Sequence, residues 1–245
     1  MRDVKNTYLA PIYEDEVVRR ICMIVRATGF MGIGNSYRQI SQYRLLKKWE
    51  QQYSIKSALE APYDQATLGV DGLIFSFKAR KAIDLANIPD NNYDLVWNFG
   101  FVQRKPRLIY EMKRVSKRYI ATFVPNVYNP GTLYHKFYHK MYERHCHHPE
   151  RGHPTLMTLK GLHKLFEEAN LRLLESGYID IPLWPDTVVT LRELLGSKKR
   201  EIIYIKPPIR LLYILGNLEK ILYPKIILAH HCYVLGEKVR NQTII

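Results

Sequence analysis

The chain has 245 residues, 47% of them hydrophobic, which allows one full α/β domain with appended helices or two small domains, and disorder is not the expectation. Its three cysteines, Cys22, Cys146 and Cys232, are odd in number and widely spaced, so they describe no disulfide framework and point to a reduced, cytoplasmic protein. A net charge of +14 attracts polyanions, whether RNA, anionic lipid headgroups or phosphorylated metabolites, and is equally what a solvated basic surface carries.

The start, MRDVKNTYLAPIYEDEVVRR, is polar and charged, unlike a signal peptide, and no uncharged apolar run approaches the ~20 residues of a membrane span. Residues 13–28 place acids first and arginines later at helical spacing, which predicts a helix stopped by Gly29. The glycine-rich GFMGIG that follows links two helices and succeeds no strand, so it reads as a turn and not as a phosphate loop. Asn35 or Ser36 is expected to cap the next helix, through YRQISQYRLLKKWEQQY. From there strands alternate with helices. A short strand is predicted over 57–61, and a helix over 68–78 with Leu68, Leu73, Ile74 and Phe77 inward. A second short strand is predicted over 82–86, and after the turn IPDNN a strand buried on both faces over 93–100. Residues 106–116 form a helix with Leu108, Ile109, Met112 and Val115 at core spacing, and 118–126 a strand stopped by Pro125. Beyond an aromatic and histidine-rich stretch, Thr158 caps another helix, 171–182 returns as a strand, 209–228 reads as a helix pair, and 232–238 is the last strand. This alternation implies an α/β fold with a doubly wound, mostly parallel sheet. It forms one domain: N-terminal helices over 1–56, a core over 57–180, and C-terminal helices with a final strand over 181–245.

Three segments, in order, resemble a class I S-adenosylmethionine-dependent methyltransferase of the type 11-like group. YDLVWNFGFVQR resembles the family's fourth-strand segment, EMKRVSKRYIATFVPN its next helix and strand, and TLMTLKGLHKLFEEANLRLLESGYI a late helix and returning strand. The match covers roughly residues 57–180. It implies a Rossmann-like methyltransferase fold, S-adenosylmethionine as cofactor, and methyl transfer to a small-molecule or lipid-like acceptor.

Carried back, SALEAPYDQATLG falls on the family's first motif, where Glu60 matches the acid and Pro62, Tyr63, Asp64 and Gln65 stand in place of glycines. Glycine serves there because its backbone reaches positive φ and lets a ligand come close. Between Lys78 and Tyr93 the resemblance implies two strands and a helix, yet the sequence holds one strand, so one βα unit is missing. Asp84 could stand for either of the family's two acids in that region. The resemblance thus assigns Glu60, Pro62, Tyr63, Asp84 and the Asn98-Phe99-Gly100 turn to the cofactor, and Asn126, Tyr134 and Tyr138 to the acceptor. Trp184, between two prolines just after a strand, reads equally as a floor of the acceptor pocket or as a cover for the sheet edge.

No catalytic dyad is evident, and transfer from a sulfonium needs alignment and exclusion of water more than acid-base help. His135 and His139 are candidate bases on the acceptor side by location alone. With Glu143 they share one helical face, followed by Cys146, His147, His148 and His153, a set that suits zinc. No CxxC or HExxH is present, so the segment reads as pocket lining or solvated surface, and no metal is expected. AHHCYVLG offers too few ligands to argue a metal and reads as a strand. The basic apolar stripe of 209–228 faces the core or lies on a membrane, which keeps a peripheral location open. Two alternatives stay beside the enzyme: a methyltransferase-like protein without catalysis that acts as a binding or assembly partner, and an RNA methyltransferase.

Overall fold

In the computed structural model the residues described are 33–61, 79–82, 84–100, 102–103, 105–130, 157–180 and 224–239. They form α1 (Ile33–Tyr53), β1 (Ala58–Glu60), β2 (Arg80–Lys81), β3 (Tyr93–Phe99), α2 (Leu108–Val115), β4 (Ser116–Pro125), α3 (Leu159–Glu168), β5 (Leu171–Ile179), α4 (Lys225–Leu228) and β6 (His231–Lys238). The six strands make one sheet in the order β2-β1-β3-β4-β6-β5. Pairs β2–β1, β1–β3 and β3–β4 are parallel, and β6 runs antiparallel to both β4 and β5. The expected α/β class with a mostly parallel sheet is what the structure has. Among the described residues no helix is long and apolar enough to cross a membrane.

Helices cover both faces of the sheet. On one face Ile109, Met112 and Val115 of α2 and Leu162, Leu165 and Phe166 of α3 pack with Leu59, Val96, Ile120, Val124, Cys232 and Val234. Their three- and four-residue spacing is the apolar stripe an amphipathic helix needs. Thr158 starts α3 as expected, its hydroxyl oxygen accepting from the Gly161 amide at 3.0 Å. On the other face α1 lies over aromatics: Trp49 stands 5.9 Å from Phe123 and 5.8 Å from Tyr233, and Tyr53 5.1 Å from Tyr119. Glu175 satisfies this layer's polar edges, accepting from Lys48, the Trp49 indole and Tyr233.

Several boundaries differ from expectation. Ile33 and Gly34 are already helical, so Asn35 and Ser36 lie inside α1 and do not cap it. The strand expected over 82–86 is instead the two-residue β2 at Arg80–Lys81. Past it the chain turns: Asp84 Oδ1 accepts from the Ala86 amide at 3.2 Å, an Asx turn, and the Ile88 amide donates to the Leu85 carbonyl at 3.0 Å. The expected strand over 93–100 is β3, and that over 171–182 stops at Ile179 because Asp180 takes a φ of 63°. The expected helices over 13–28 and 68–78 lie outside the described residues, as does most of 209–228, of which Lys225–Leu228 is helical.

The connection from β2 to β3 spans only residues 82–92 yet crosses β1 to reach its other side. Parallel crossovers usually need a dozen residues or more and a helix. Among the described residues here a turn does this work, anchored by buried Leu85 and by Arg114, which donates to the carbonyls of Leu85 and Ile88 at 2.8 Å each and to Asp90. This is the stretch in which the family resemblance implies two strands with a helix between them.

Candidate functional site at the carboxyl edge of the sheet

Every strand but β6 ends on one edge of the sheet: β1 at Glu60, β2 at Lys81, β3 at Phe99, β4 at Pro125 and β5 at Ile179, while β6 begins there at His231. From β1 the chain goes to β2 on one side and then to β3 on the other, so the order reverses between β1 and β3. In open α/β sheets the crevice at such a switch point is where ligands bind.

The switch is built by a few short bonds. The Ala61 amide donates to the Trp97 carbonyl at 2.9 Å, and the Asn98 side chain donates to the Ala61 carbonyl at 3.3 Å while accepting from the Val102 amide at 3.2 Å. Asn98 is fully buried and thereby fixes the chain as it leaves β3. Gly100 follows with φ +75°, and its amide donates to the Phe123 carbonyl at 2.8 Å. Among the described residues a Cβ at Gly100 would meet nothing closer than the Gln103 amide nitrogen at 3.9 Å, and the left-handed backbone by itself favours glycine. Glu60 is 2% exposed and, by register with Trp97, lies on the α1 face. Two buried oxygens at this edge, Gln103 Oε1 and Thr122 Oγ1, have no hydrogen-bond partner among the described residues.

The motifs that carry the resemblance do mostly structural work. Asp94 lies at the opposite end of β3, where one carboxylate oxygen accepts from the amides of Lys56 and Ser57 at 2.9 Å each, locking β1 to β3. Arg114 ties down the short crossover. Asn126 donates to the carbonyls of Ile226 and Ala229 at 2.7 Å each, and Asn129 to Leu228, which fastens α4 to the end of β4. Asp84 is exposed and bonded to its own turn. Glu60, Asn98, Phe99 and Gly100 are thus gathered at the switch, Asn126 lies further along the same edge, and Asp84 stands on the crossover. Pro62, Tyr63, Tyr134, His135, Tyr138, His139 and Trp184 lie outside the described residues.

At the far end of the edge is a group that sequence reasoning missed. Asp180 and His231 are both buried, and the Asp180 carboxylate stands 3.0 Å from His231 Nδ1 and 3.6 Å from His230 Nδ1. Burial alone would raise the Asp180 pKa, but the two imidazoles outweigh it and hold the carboxyl below the usual aspartate range. His231 also packs 4.9 Å from the Phe99 ring, which joins this group to the end of β3. The His-His pair was visible in the sequence, but its acid is 50 residues away and is brought near only because β5 and β6 pair at Ile179–His231. Cys232 points to the other face, where burial pushes its thiol up to about 12 and leaves it inert.

The sequence matches no protein-family model, and no curated protein matches it. Solved structures that it resembles include a SAM-dependent methyltransferase from Archaeoglobus fulgidus, at 14% identity over 80% of this chain and 94% of that one, TM-score 0.41. Another is magnesium protoporphyrin IX methyltransferase from Synechocystis PCC 6803 with bound SAH, at 8% identity over 83% and 84%, TM-score 0.44. A third is a SAM-dependent methyltransferase from Thermotoga maritima, at 10% identity over 91% and 100%, TM-score 0.44. At these values they are likenesses of overall arrangement and no more.

Proposed function

We propose that the protein binds S-adenosylmethionine at the β1–β3 switch and transfers its methyl group to a small-molecule or lipid-like acceptor. The observation that carries this reading is the switch itself, with Gly100 held at positive φ where the chain leaves β3. The unpartnered buried oxygens of Gln103 and Thr122 fit a polar ligand there, since buried polar groups are normally satisfied. When bound, S-adenosylmethionine supplies an electrophilic methyl group on a sulfonium.

The chain's own residues would then hold and orient. Gly100 gives the ligand backbone access, Asn98 keeps the turn in place, and Phe99 closes the α1 side. Glu60, Pro62, Tyr63 and Asp84 complete the cofactor set in this reading, with Asn126, Tyr134, Tyr138 and Trp184 toward the acceptor and His135 or His139 as base where the acceptor carries a proton. Alignment and exclusion of water are the main demands on such a site.

Calorimetric titration with S-adenosylmethionine and its demethylated product tests the reading. Micromolar binding, weakened at least about tenfold by Gly100→Leu, is expected. No binding at millimolar ligand would overturn it and favour the alternative of a methyltransferase-like binding or assembly partner without catalysis.

A further inference from the structure

Asp180, His230 and His231 form the group at the β5–β6 end of the edge, and none of them has a part in the cofactor reading above. Each offers one ligand atom, and the three atoms lie within 4.8 Å of one another. Atoms bonded to one tetrahedral zinc at about 2.0–2.2 Å lie roughly 3.4 Å apart, and the two carboxylate–imidazole separations, 3.0 Å and 3.6 Å, bracket that spacing.

The second observation is the state of the acid. Asp180 is 1% exposed, and its Oδ1 has no hydrogen-bond partner among the described residues. Its Oδ2 faces both imidazoles. A carboxylate this deep needs a cation or a full set of donors. Its backbone holds it there: the His230 amide donates to the Asp180 carbonyl at 2.7 Å, and the residue is kept at φ 63°, a conformation a non-glycine residue adopts at a cost.

We propose that Asp180, His230 and His231 bind a divalent transition-metal ion, with zinc as the natural occupant. Two imidazoles and one carboxylate suit zinc and its first-row neighbours better than calcium or magnesium, which prefer all-oxygen shells. Three protein ligands leave a coordination position for water or an acceptor atom, as in catalytic rather than structural zinc sites. The His230 side chain is 13% exposed, so the group is reachable from solvent. His231 against Phe99 sets the ion beside the end of β3, on the rim of the same edge as the switch.

The test is calorimetric titration of the chelator-stripped full chain with zinc chloride, with cobalt(II) absorption as a second readout. His230→Gln is the deciding variant, because it removes one ligand and leaves the Asp180–His231 contact intact. One zinc per chain should bind, at least about tenfold more weakly in His230→Gln and about 100-fold more weakly in Asp180→Asn. Cobalt should give a visible absorption band that appears only at higher cobalt concentration in both variants. Absence of any zinc component sensitive to His230→Gln overturns the proposal, including the case in which the histidine-rich segment 135–153 binds zinc on its own.

Discussion

The two halves of the sheet are held together differently. The parallel half rests at its outer side on short strands, three residues in β1 and two in β2, and is tied mainly through backbone groups: Asn98 to the Ala61 carbonyl, the Ala61 amide to Trp97, and the amides at the start of β1 to the Asp94 carboxylate. The antiparallel half has long strands, nine residues in β5 and eight in β6, and gathers its acids into ionic groups. Glu175 meets Lys48, Glu237 meets Arg118 and Arg172, and Asp180 meets His230 and His231. One half offers a ligand backbone and shape, the other charge and metal-type donors. Phe99 against His231 is where they meet.

The largest effect is expected where α3 seals the antiparallel half. Phe166 is fully buried, and a Cβ on Gly236 would stand 2.7 Å from its ring. Phe166→Ala should cost about 3–5 kcal/mol in denaturant melts. Gly236→Ala should destabilise by about 1–3 kcal/mol in the native background and much less in Phe166→Ala, because the clash is with that ring. Additive costs would show that the contact is not the cause.

On the parallel half, Asn98→Leu leaves the Ala61 carbonyl and the Val102 amide without their side-chain partner. It should cost about 2–3 kcal/mol and loosen the switch, with binding of the demethylated cofactor falling alongside. Wild-type stability in that variant would show that Asn98 does not hold the turn.

Glu237→Gln is expected to cost about 1–2 kcal/mol near neutral pH, since its two arginine partners are largely exposed. Burial would raise the Glu237 pKa, but hydrogen bonds from Arg172 and Arg118 prevail and hold it below the ordinary range. Its stabilisation is therefore full above the usual glutamate value of about 4.3 and is lost as pH falls through the lower folded value. The gap between wild type and variant should close on going from neutral pH to strongly acidic pH. A gap independent of pH would remove the ionic account.

The smallest effect belongs to Asp84. Asp84 is exposed and, among the described residues, bonded within its own turn, so Asp84→Ala should change stability by less than about 0.5 kcal/mol. Any loss of cofactor affinity in that variant would then reflect contact with the ligand and not a weakened fold.

Elements with strong local signals were legible in the sequence. α2, α3 with its Thr158 cap, β3 and β4 all announce themselves by apolar spacing, caps and turn residues. The crossover was less so: KAIDLA has the composition of a strand, but the register with β1 runs only through Lys81, and Asp84 accepts from the Ala86 amide in a turn. The start of α1 was missed because Asn35 and Ser36 suit a cap and yet lie within the helix. At the site, the Asn98-Phe99-Gly100 turn could be placed from the run that ends β3, because its conformation is local. The Asp180–His230–His231 group could not, since it depends on the pairing of two strands distant in sequence. For the same reason Asp94, Arg114 and Asn126 drew attention as motif residues, whereas their bonds are to neighbouring elements.

The most direct test of the central claim is a crystal structure of the protein grown with the demethylated product of S-adenosylmethionine. The account predicts density for the ligand at the β1–β3 switch, over Gly100 and beside Asn98 and Glu60. Ligand bound elsewhere on the molecule, or a switch left unchanged at saturating ligand, would contradict it.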